Sequence, residues 1–302
     1  MPNLPKIAIC ICTYQRPAML ARLLRDIAGQ QTDGAFTFSV VVTDNDAAKS
    51  AQAAAEDCAR ECALNLLYTV EPRKNIAHAR NTAVSLAKGE FIAFIDDDEF
   101  PETNWLLSLY RTCEKHQVAG VLGPVKPDFD DHTPSWVIKG GFYDRPTHRT
   151  GFEMPWPECR TGNVLLRRST LNSSPATNPP FAPQFGTGGE DQDFFRRMTE
   201  RGHRFIWCNE AIVWETVPAT RCSRRFMLSR ALLRGRNTFR HSKHRLRNLA
   251  KSAIAIPAYL LALPVLLLAG HHLFMKYLVK LTDHTGRVLA LIGLNPVNER
   301  RM

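Results

Sequence analysis

The stretch Phe91–Pro101 reads FIAFIDDDEFP, and it decides the fold class of this 302-residue chain. Five apolar residues end abruptly at three adjacent aspartates, Asp96, Asp97 and Asp98, with Glu99 directly behind them. A short run of β-branched and aromatic residues between Gly and Pro predicts a buried strand. Because side chains alternate along a strand, we expect Asp96 and Asp98 on one side and Asp97 on the other. Open α/β sheets bind ligands at the carboxyl ends of their strands, so these carboxylates mark a candidate site.

The chemistry of this aspartate run indicates a bound cation. Carboxylates this close raise one another's pKa unless a cation lies between them. A small number of hard oxygen ligands suits Mg²⁺ or Mn²⁺, with phosphate oxygens and water completing the octahedron. The alternative is an acidic turn that only solubilises a loop, for which a buried strand ending in three aspartates is an uncommon design. We therefore predict a metal site that includes Asp96 and Asp98.

Two earlier apolar strands, Lys6–Cys12 and Phe38–Thr43, are also predicted to end in polar residues. Helices with one apolar face follow the strands, and this alternation predicts a mostly parallel sheet with both faces covered. The polar residues that follow the two strands are Thr13, Tyr14, Arg16, Asp44 and Asp46. Three polar strand ends at one edge of a sheet predict a single site.

A second acidic motif follows a glycine-rich turn. It brings Glu190 and Asp191 to the start of a helix predicted over Asp193–Arg201. Helix capping is the simpler interpretation, because carboxylates are favoured in a first helical turn. The two glycines before the pair allow a close backbone approach to a ligand, which capping does not require. Combined with the aspartate run upstream, the motif predicts a general base.

The stretch from Gly123 to about Cys159 is rich in Pro, Gly and aromatic residues, and we expect it to be irregular. A long loop inside a compact domain is typical of a lid or binding loop. Its aromatic side chains fit sugar contacts and core packing equally well. Gly162–Arg168 is predicted to resume a strand, and a second Pro-rich loop is expected over Ser173–Pro183.

The composition is that of a globular protein, with 44% apolar and 23% charged residues. The net charge of +10 is concentrated between Arg221 and Lys251, which contains eleven Lys or Arg and no Asp or Glu. Such a block favours an anionic partner, either phospholipid, a phosphate-bearing ligand or nucleic acid. Eight cysteines without a C-x-x-C pair fit a reducing compartment. The N-terminus shows no signal segment, so we expect a cytoplasmic catalytic part.

The C-terminal part predicts contact with a membrane. Ala253–Gly270 runs eighteen residues without a charge, although Pro257 and Pro264 interrupt it. Phe274–Leu294 is amphipathic. We predict a membrane-inserted or re-entrant segment followed by an interfacial helix, with a buried hairpin of a soluble protein as the alternative. The basic flank favours the membrane and places the chain at the cytoplasmic face of the cell (inner) membrane. The predicted domains are residues 1–235, catalytic, and 236–302, helical and membrane-associating.

Four motifs in this order resemble the family 2 glycosyltransferases, which have the nucleotide-sugar-binding GT-A fold. They read ICTYQRPAMLARLL, VVTDND, NIAHARNTAVSLAKGEFIAFIDDDEFP and FGTGGEDQDFFRRM, and the resemblance covers roughly residues 6 to 235. The chain looks most like bacterial enzymes that extend exopolysaccharide or other surface-glycan repeat units.

The resemblance implies an inverting transfer from a nucleoside diphosphate sugar, with UDP as the expected nucleotide. It assigns the nucleotide-sugar site to Thr13, Tyr14, Arg16, Asp44, Asp46, Arg80, Asp96, Asp97 and Arg234. The implied metal ligands are Asp96, Asp98 and Glu215, and the implied catalytic pair is Asp191 with Glu190. A cation and basic groups would offset charge on the leaving diphosphate, while one carboxylate deprotonates the acceptor hydroxyl. One base with in-line displacement predicts inversion.

The sequence departs from the family pattern in two places. Trp214-Glu215 stands where many relatives have a metal-binding His, so either Glu215 takes that role or the third ligand is missing. The Gln-rich motif of processive polymerases is absent from the sequence, which favours addition of single sugars. The expected acceptor is a glycan, and the predicted membrane segment favours a lipid-linked one.

Two other functions compete with sugar transfer. A metal-dependent nucleotidyltransferase uses a similar sheet, but that class opens with a Gly-rich loop, and Thr13–Pro17 contains no Gly. A non-catalytic membrane-associated scaffold or nucleic-acid binder would use the basic block, yet it has no need of acidic strand ends. We therefore predict an enzyme that does not bind nucleic acid.

Overall fold

The computed structural model describes residues 4–172, 179–185, 188–241 and 245–294. Their contacts divide the chain into two compact units. The first unit consists of the residues up to Lys126 together with Arg145–Glu215. The second consists of Pro127–Asp144 together with the residues from Thr216 onward.

The described residues form ten strands and ten α-helices. The strands are β1 (Lys6–Thr13), β2 (Thr37–Asp44), β3 (Leu66–Val70), β4 (Phe91–Phe94), β5 (Glu99–Pro101), β6 (Gly120–Leu122), β7 (Val125–Phe129), β8 (Val164–Arg167), β9 (Phe205–Trp207) and β10 (Val213–Val217). The helices are α1 (Pro17–Ala28), α2 (Gln52–Glu61), α3 (Ile76–Leu86), α4 (Trp105–His116), α5 (Ser135–Gly140), α6 (Arg168–Asn172), α7 (Glu190–Glu200), α8 (Arg224–His241), α9 (Arg245–Ala269) and α10 (His271–Leu291).

The main sheet has seven strands in the order β3-β2-β1-β4-β8-β6-β9. Strand β1 pairs in parallel with β2 and β4, whereas β8 is antiparallel to both of its neighbours. The carboxyl ends of β1, β2 and β4 therefore lie at one edge, beside the amino end of β8. The predicted α/β fold with a mostly parallel sheet is confirmed.

Both faces of the sheet are buried, which explains why its central strands are almost entirely apolar. Ile7, Ile9 and Ile11 of β1 belong to the cluster that packs on α1. Ala8 and Cys10 point to the other face, where they join a second cluster. The predicted apolar stripe of α1 is fully buried, as we expected from its spacing: Leu20, Leu23, Leu24 and Ile27.

The stretch from 124 to 159 is less irregular than we predicted. It contains β7 and α5, and β7 joins a small sheet in the order β5-β10-β7. Val137 of α5 is buried in a cluster with Val217, Cys222 and Met227, all within the second unit. The sequence of this segment carries no clear period because its partners are distant in the chain.

In the second unit, α10 packs on α8 where each helix carries a glycine. A Cβ on Gly235 would overlap the backbone of Asp283, and a Cβ on Gly286 would overlap the backbone of Leu232. Asp283 is buried and accepts from Arg234 of α8 at 2.8 Å. Two glycines and one ion pair therefore fix this helix pair at close range.

Helix α9 continues through Pro257 and Pro264. Its segment Leu246–Ala269 has the length and apolar composition needed to cross a membrane. Along the chain, the last change from the first unit to the second falls between Glu215 and Thr216, whereas the predicted boundary at 235 falls inside α8. The functional division into a catalytic and a membrane-associating part stays a prediction.

Candidate active site

The three aspartates after β4 lie in a turn, where the Glu99 amide donates to the Asp96 carbonyl at 3.1 Å. The alternation that we predicted, with Asp96 and Asp98 on one side, is wrong because the strand already ends at Phe94. Asp97 and Asp98 instead share one partner, the Arg16 guanidinium, at 2.8 and 3.0 Å. Asp96 has a different partner and is the most exposed of the three, with 47% of its side chain accessible.

Asp97 ties β4 to the loop that follows β1. The Thr13 hydroxyl donates to its carboxylate at 2.8 Å, and Arg16 approaches the other oxygen. Burial raises the pKa of Asp97, and the Arg16 charge acts against that rise. Asp97 therefore holds the β1 loop in place, and its buried oxygens are already engaged by protein groups.

Arg80 of α3 connects the two acidic motifs. Its guanidinium lies 3.5 Å from Asp96 and forms a short ion pair with Glu190 in the first turn of α7. Arg80 and Glu190 are both buried, and burial raises the pKa of Glu190 despite the neighbouring arginine. Glu190 Oε2 lacks a hydrogen-bond partner among the described residues.

Asp191 is the more accessible member of the second acidic motif, being only partly buried. Its Oδ1 accepts from the Gln192 amide at 2.7 Å. Gly189 precedes the helix with φ of 101°, a left-handed conformation that favours glycine. The helix begins three residues earlier than we predicted, so both acidic residues belong to its first turn.

A second group of carboxylates lies at the amino end of β8. A Cβ on Gly162 would come within 2.7 Å of Glu99 Oε1 and 3.0 Å of Asp96 Oδ2, so Gly162 makes room for both side chains. Glu215 stands opposite Glu99 in the β5–β10 ladder, and Arg145 forms an ion pair with it. Burial, and after it the charge of Asp96, raises the pKa of Glu99.

Asp44 is fully buried at the end of β2. Its carboxylate accepts from the Asp46 amide at 3.0 Å, the Ala51 amide at 2.9 Å and the Tyr68 hydroxyl at 2.8 Å. These contacts join β2 to the start of α2 and to β3. Asp44 was predicted to bind the nucleobase of the nucleotide. Its carboxylate oxygens already accept these three hydrogen bonds from the protein.

Asp46 and Tyr14, which were predicted for the nucleotide, follow β2 and β1 at the same edge. Asp46 accepts from the Ala48 amide at 3.0 Å, a bond that lowers its pKa. The Lys74 ammonium lies 4.1 Å from the centre of the Tyr14 ring and donates to the Tyr14 hydroxyl at 2.9 Å. The first unit thus brings together all of the predicted site residues except Arg234. Arg234 belongs to the second unit, where Asp283 accepts from it.

A cavity of about 200 Å³ lies at the carboxyl ends of β6 and β9. Its apolar walls include Leu122, Met154 and Trp207. Its polar lining includes Arg145 and Asn163, and Asn163 directly follows Gly162. Arg145, which lines the cavity, also forms the ion pair with Glu215.

Comparison with known proteins identifies the family. The model of glycosyl transferase family 2 matches residues 8–173, which is more than half of the chain. This chain belongs to glycosyl transferase family 2.

The glycosyltransferase is 33% identical to the succinoglycan biosynthesis protein ExoM of Rhizobium meliloti, over 99% of this chain and 97% of that protein. Its fold is similar to that of the mannosyltransferase PcManGT from Pyrobaculum calidifontis in complex with GDP-Man and Mn²⁺. That likeness has a TM-score of 0.63 at 19% identity and covers 96% of this chain and 87% of the other.

S. aureus TarS 1-349 in complex with UDP-GlcNAc has a similar fold as well, with a TM-score of 0.54 at 17% identity. The alignment covers 96% of this chain and 93% of that one. These likenesses establish the GT-A glycosyltransferase fold that we predicted.

The fold family implies a divalent cation, and the carboxylates of the candidate site could supply some of its ligands. Asp96 offers exposed carboxylate oxygens of the kind that Mg²⁺ and Mn²⁺ prefer. However, the described residues contain no group of three or more His, Cys, Asp or Glu side chains arranged to hold a metal ion. An ion here would need further ligands from the substrate and water.

Several residues of the candidate site are not predicted from the sequence. Asn45 bridges β2 to the β3–α3 loop, donating to the carbonyls of Glu71 and Arg73 at 2.7 and 2.8 Å. Asn163 accepts from the Trp105 indole at 2.8 Å and donates to two loop carbonyls. The signal for Asn45 was its place inside the VVTDND motif. Asn163 and Arg145 gave no signal, because their partners are distant in the chain.

Proposed function

We propose that this family 2 glycosyltransferase moves a hexosyl residue, with inversion, from a UDP-sugar to a lipid-linked glycan in surface or exopolysaccharide synthesis. The observation that carries the proposal is the bridge that Arg80 makes between Asp96 and Glu190. It brings Asp96 and the start of α7 within the reach of one side chain. The name of the ExoM relative supports the exopolysaccharide context.

In the proposed reaction Asp191 takes the proton from the acceptor hydroxyl as that oxygen attacks the anomeric carbon. Glu190 is buried against Arg80 and is poorly placed to exchange protons, so its role is to hold Arg80. Arg80 is proposed to stabilise negative charge on the leaving diphosphate, supported by its guanidinium charge beside Asp96. Because a single accessible carboxylate, the partly buried Asp191, serves as base, the sugar is proposed to be transferred in one displacement with inversion.

A divalent cation, Mn²⁺ or Mg²⁺, is proposed to bind Asp96 and Asp98, with Glu215 as a third candidate ligand. When bound, the cation offsets charge on the leaving diphosphate. Thr13, Tyr14, Arg16, Asp44, Asp46 and Asp97 are proposed to form or support the nucleotide site. We also propose Arg234 for the diphosphate, supported by its cationic side chain, which is 55% exposed beside Asp283.

The cavity beside Asn163 is the proposed site for the acceptor sugar. Pockets for drug-sized ligands have volumes of roughly 300–1,000 Å³, so a cavity of about 200 Å³ suits a single sugar ring. The Trp207 ring and the Arg145 guanidinium offer it an apolar face and a hydrogen-bond donor.

The membrane is the proposed location of the acceptor. Helix α9 supplies an apolar surface, and the basic block from Arg221 to Lys251 supplies positive charge. The excess of Lys and Arg supports the cytoplasmic face.

The test is a panel of nucleotides, with and without Mn²⁺, measured by thermal shift on the detergent-solubilised full chain. A ligand that binds only the native protein raises its stability with concentration. We expect stabilisation by UDP that depends on the metal and is lost in Asp98→Ala. Asp33→Ala, which changes an exposed aspartate paired with Arg111, is the matched control and should keep the response. Stabilisation by GDP alone would show that the donor nucleotide is GDP and not UDP. No thermal shift with any nucleotide of the panel would refute the donor assignment.

A further inference from the structure

Helix α9 shows one narrow buried stripe and a wide exposed apolar face. Ser252 and Leu263 lie on the buried stripe, at 0% and 8% exposure. Ile254, Leu261 and Leu268 lie on the other side, at 75%, 80% and 90% exposure. From Ser252 to Ala269 the helix contains no charged residue. Water is a poor solvent for such a surface, so it needs an apolar partner.

The neighbouring α10 runs antiparallel along the buried stripe. Ser252 Oγ lies 2.9 Å from His284 Nδ1, and the rings of Tyr259 and Tyr277 have their centres 5.6 Å apart. These two contacts fix the register of the hairpin. In that register Lys276 and Lys280, both exposed, lie level with the middle of the apolar stretch of α9.

The side of α10 that faces away from α9 contacts α8 and α5 of the same unit at both ends of the helix. Near its C-terminal end, Asp283 is held between Arg234 of α8 and Arg287. At its N-terminal end, the His271 ring contacts Trp136 of α5 at 5.4 Å between ring centres. The tip of the hairpin is therefore packed against protein.

These contacts are incompatible with an α9 that crosses a bilayer. A crossing α9 would draw Lys276 and Lys280 to the middle of the hydrocarbon, where ammonium groups are strongly unfavourable. It would also separate His271 from α5. A helix that lies flat keeps every contact of α10 and still buries its exposed apolar face.

We propose that α9 lies in the plane of an anionic phospholipid bilayer, with its Ile254–Leu261–Leu268 face inserted and both ends of the hairpin on one side. This inference rests on the membrane association proposed above. Charge complementarity selects the partner, because Arg247, Lys251, Lys276 and Lys280 are exposed beside the apolar face. Their long side chains reach the anionic headgroups while α9 lies below them.

The first test is sedimentation of the full chain with vesicles of phosphatidylglycerol and phosphatidylcholine, compared with phosphatidylcholine alone. We expect binding that is stronger with the anionic lipid and weaker at high salt. The double variant Leu261→Glu/Leu268→Glu should reduce the bound fraction at least about ten-fold, because charge is introduced on the inserted face. Leu67→Glu, at a 46% exposed leucine on β3, is the matched control and should bind as the parent does. Equal loss in both variants, or dimerisation without vesicle binding, would overturn the proposal.

The second test separates a flat helix from a crossing one. His272→Cys places a thiol at the turn between α9 and α10, and a membrane-impermeant maleimide reports its side, with the parent chain giving the background. A flat α9 predicts labelling in inside-out membrane vesicles and protection in spheroplasts. The opposite pattern would show that the turn reaches the far side, and the inference would be wrong.

Sugar transfer to a soluble acceptor in detergent keeps the two proposals apart. The α9 variants change no proposed site residue, so their transfer should equal that of the parent chain. Absence of transfer from every chain, together with the expected vesicle binding, would refute the proposed function and leave the membrane inference intact. Normal transfer without vesicle binding would refute the membrane inference and leave the proposed function intact.

Discussion

Arg80 contacts carboxylates from both acidic motifs, Asp96 after β4 and Glu190 at the start of α7. A buried arginine must be paired, since an isolated buried charge is costly. Glu190 fills that role, and the adjacent Asp191 stays accessible. The resemblance assigns the base role to Asp191, which stays a prediction, and the structure adds that the neighbouring Glu190 is the buried partner of Arg80.

Asp191→Asn tests this assignment. We expect transfer to fall by roughly 10²–10⁴-fold, since that is the usual contribution of a general base. Nucleotide binding should stay near the parent value, because the amide has the same shape. Steady-state transfer and a UDP titration measure the two effects. Asp193→Asn is the matched control, because Arg196 and Arg197 of the same helix hold that carboxylate, and it should retain transfer. Loss of UDP binding in Asp191→Asn would remove Asp191 from the base role.

Gly162→Ala tests the packing of the carboxylates behind the aspartate turn. A methyl group at this position would lie 2.7 Å from Glu99 Oε1, so Glu99 or Asp96 must move. We expect a loss of stability of about 1–3 kcal/mol, typical of overpacking, and weaker metal-dependent UDP binding. Urea unfolding and UDP titration measure both. Gly29→Ala is the matched control. A Cβ at Gly29 would lie 3.6 Å from the Asp26 carbonyl oxygen, an ordinary contact, so UDP binding should be unchanged. Normal UDP binding in Gly162→Ala would show that this space has no function.

The aspartate turn also shows where residue-level prediction ends. The three carboxylates and the strand before them are predictable from the sequence, because the apolar run and its abrupt end are local signals. Strand alternation does not give the directions of the carboxylates, because the chain turns after Phe94. The shared contact of Asp97 and Asp98 with Arg16 depends on a loop about eighty residues earlier.

At the scale of elements, the β3–α3 connection is held by Glu71. This buried carboxylate accepts from the Arg73 guanidinium at 2.8 and 2.9 Å and from the Thr82 hydroxyl at 2.9 Å. The hydrogen bonds from Arg73 lower the pKa of Glu71 from 4.5 to about 2. The folded state therefore prefers the charged form, so this stabilisation is present above pH 4.5 and is lost as the pH falls towards 2.

Glu71→Gln should remove that dependence. We expect the variant to be less stable at neutral pH by about 1–2 kcal/mol, a value discounted because Arg73 is exposed. The gap should close as the pH falls from about 4.5 to about 2. Urea unfolding at a series of pH values measures it. Glu61→Gln, which alters an exposed pair with Arg25, should follow the parent curve. A gap that does not change with pH would contradict the assignment.

Elements with a strong local period were predictable, and those that depend on distant pairing were not. Helix α1 was found from its apolar spacing, and β1 and β2 from their apolar runs. The antiparallel insertion of β8 between β4 and β6 has no local signal, since strand direction depends on tertiary pairing. The sequence predicts a loop where β7 and α5 lie, for the same reason.

At the scale of the whole molecule, the second unit is built from two separated pieces of chain. Its core joins Val137 of α5 to Val217 and Met227, with Val279 of α10 packed against them. The predicted boundary at 235 would therefore cut through α8 and remove α10 from this core. A fragment that ends there keeps Val217 and Met227 but loses α10, which packs on the same core as Val137.

A chain ending at residue 235 is expected to expose this segment. Proteolysis within 127–144 should become about ten-fold faster than in the full chain, because local opening follows the loss of buried contacts. Limited proteolysis with mass mapping measures it. The turn at Gly34 belongs to the first unit and should be cut at equal rates in both chains. Equal rates at both places would support the boundary at 235.

The split of the second unit also sets an order of events on the ribosome. Residues 127–144 are synthesised well before their partners in α10, which begin at His271. At roughly 5–20 residues per second, the delay is on the order of ten seconds. During that time Trp136 and Val137 have left the exit tunnel while α10 is still unmade. The nascent chain therefore presents an apolar segment that a chaperone can recognise, and slower translation between these two pieces would lengthen its exposure.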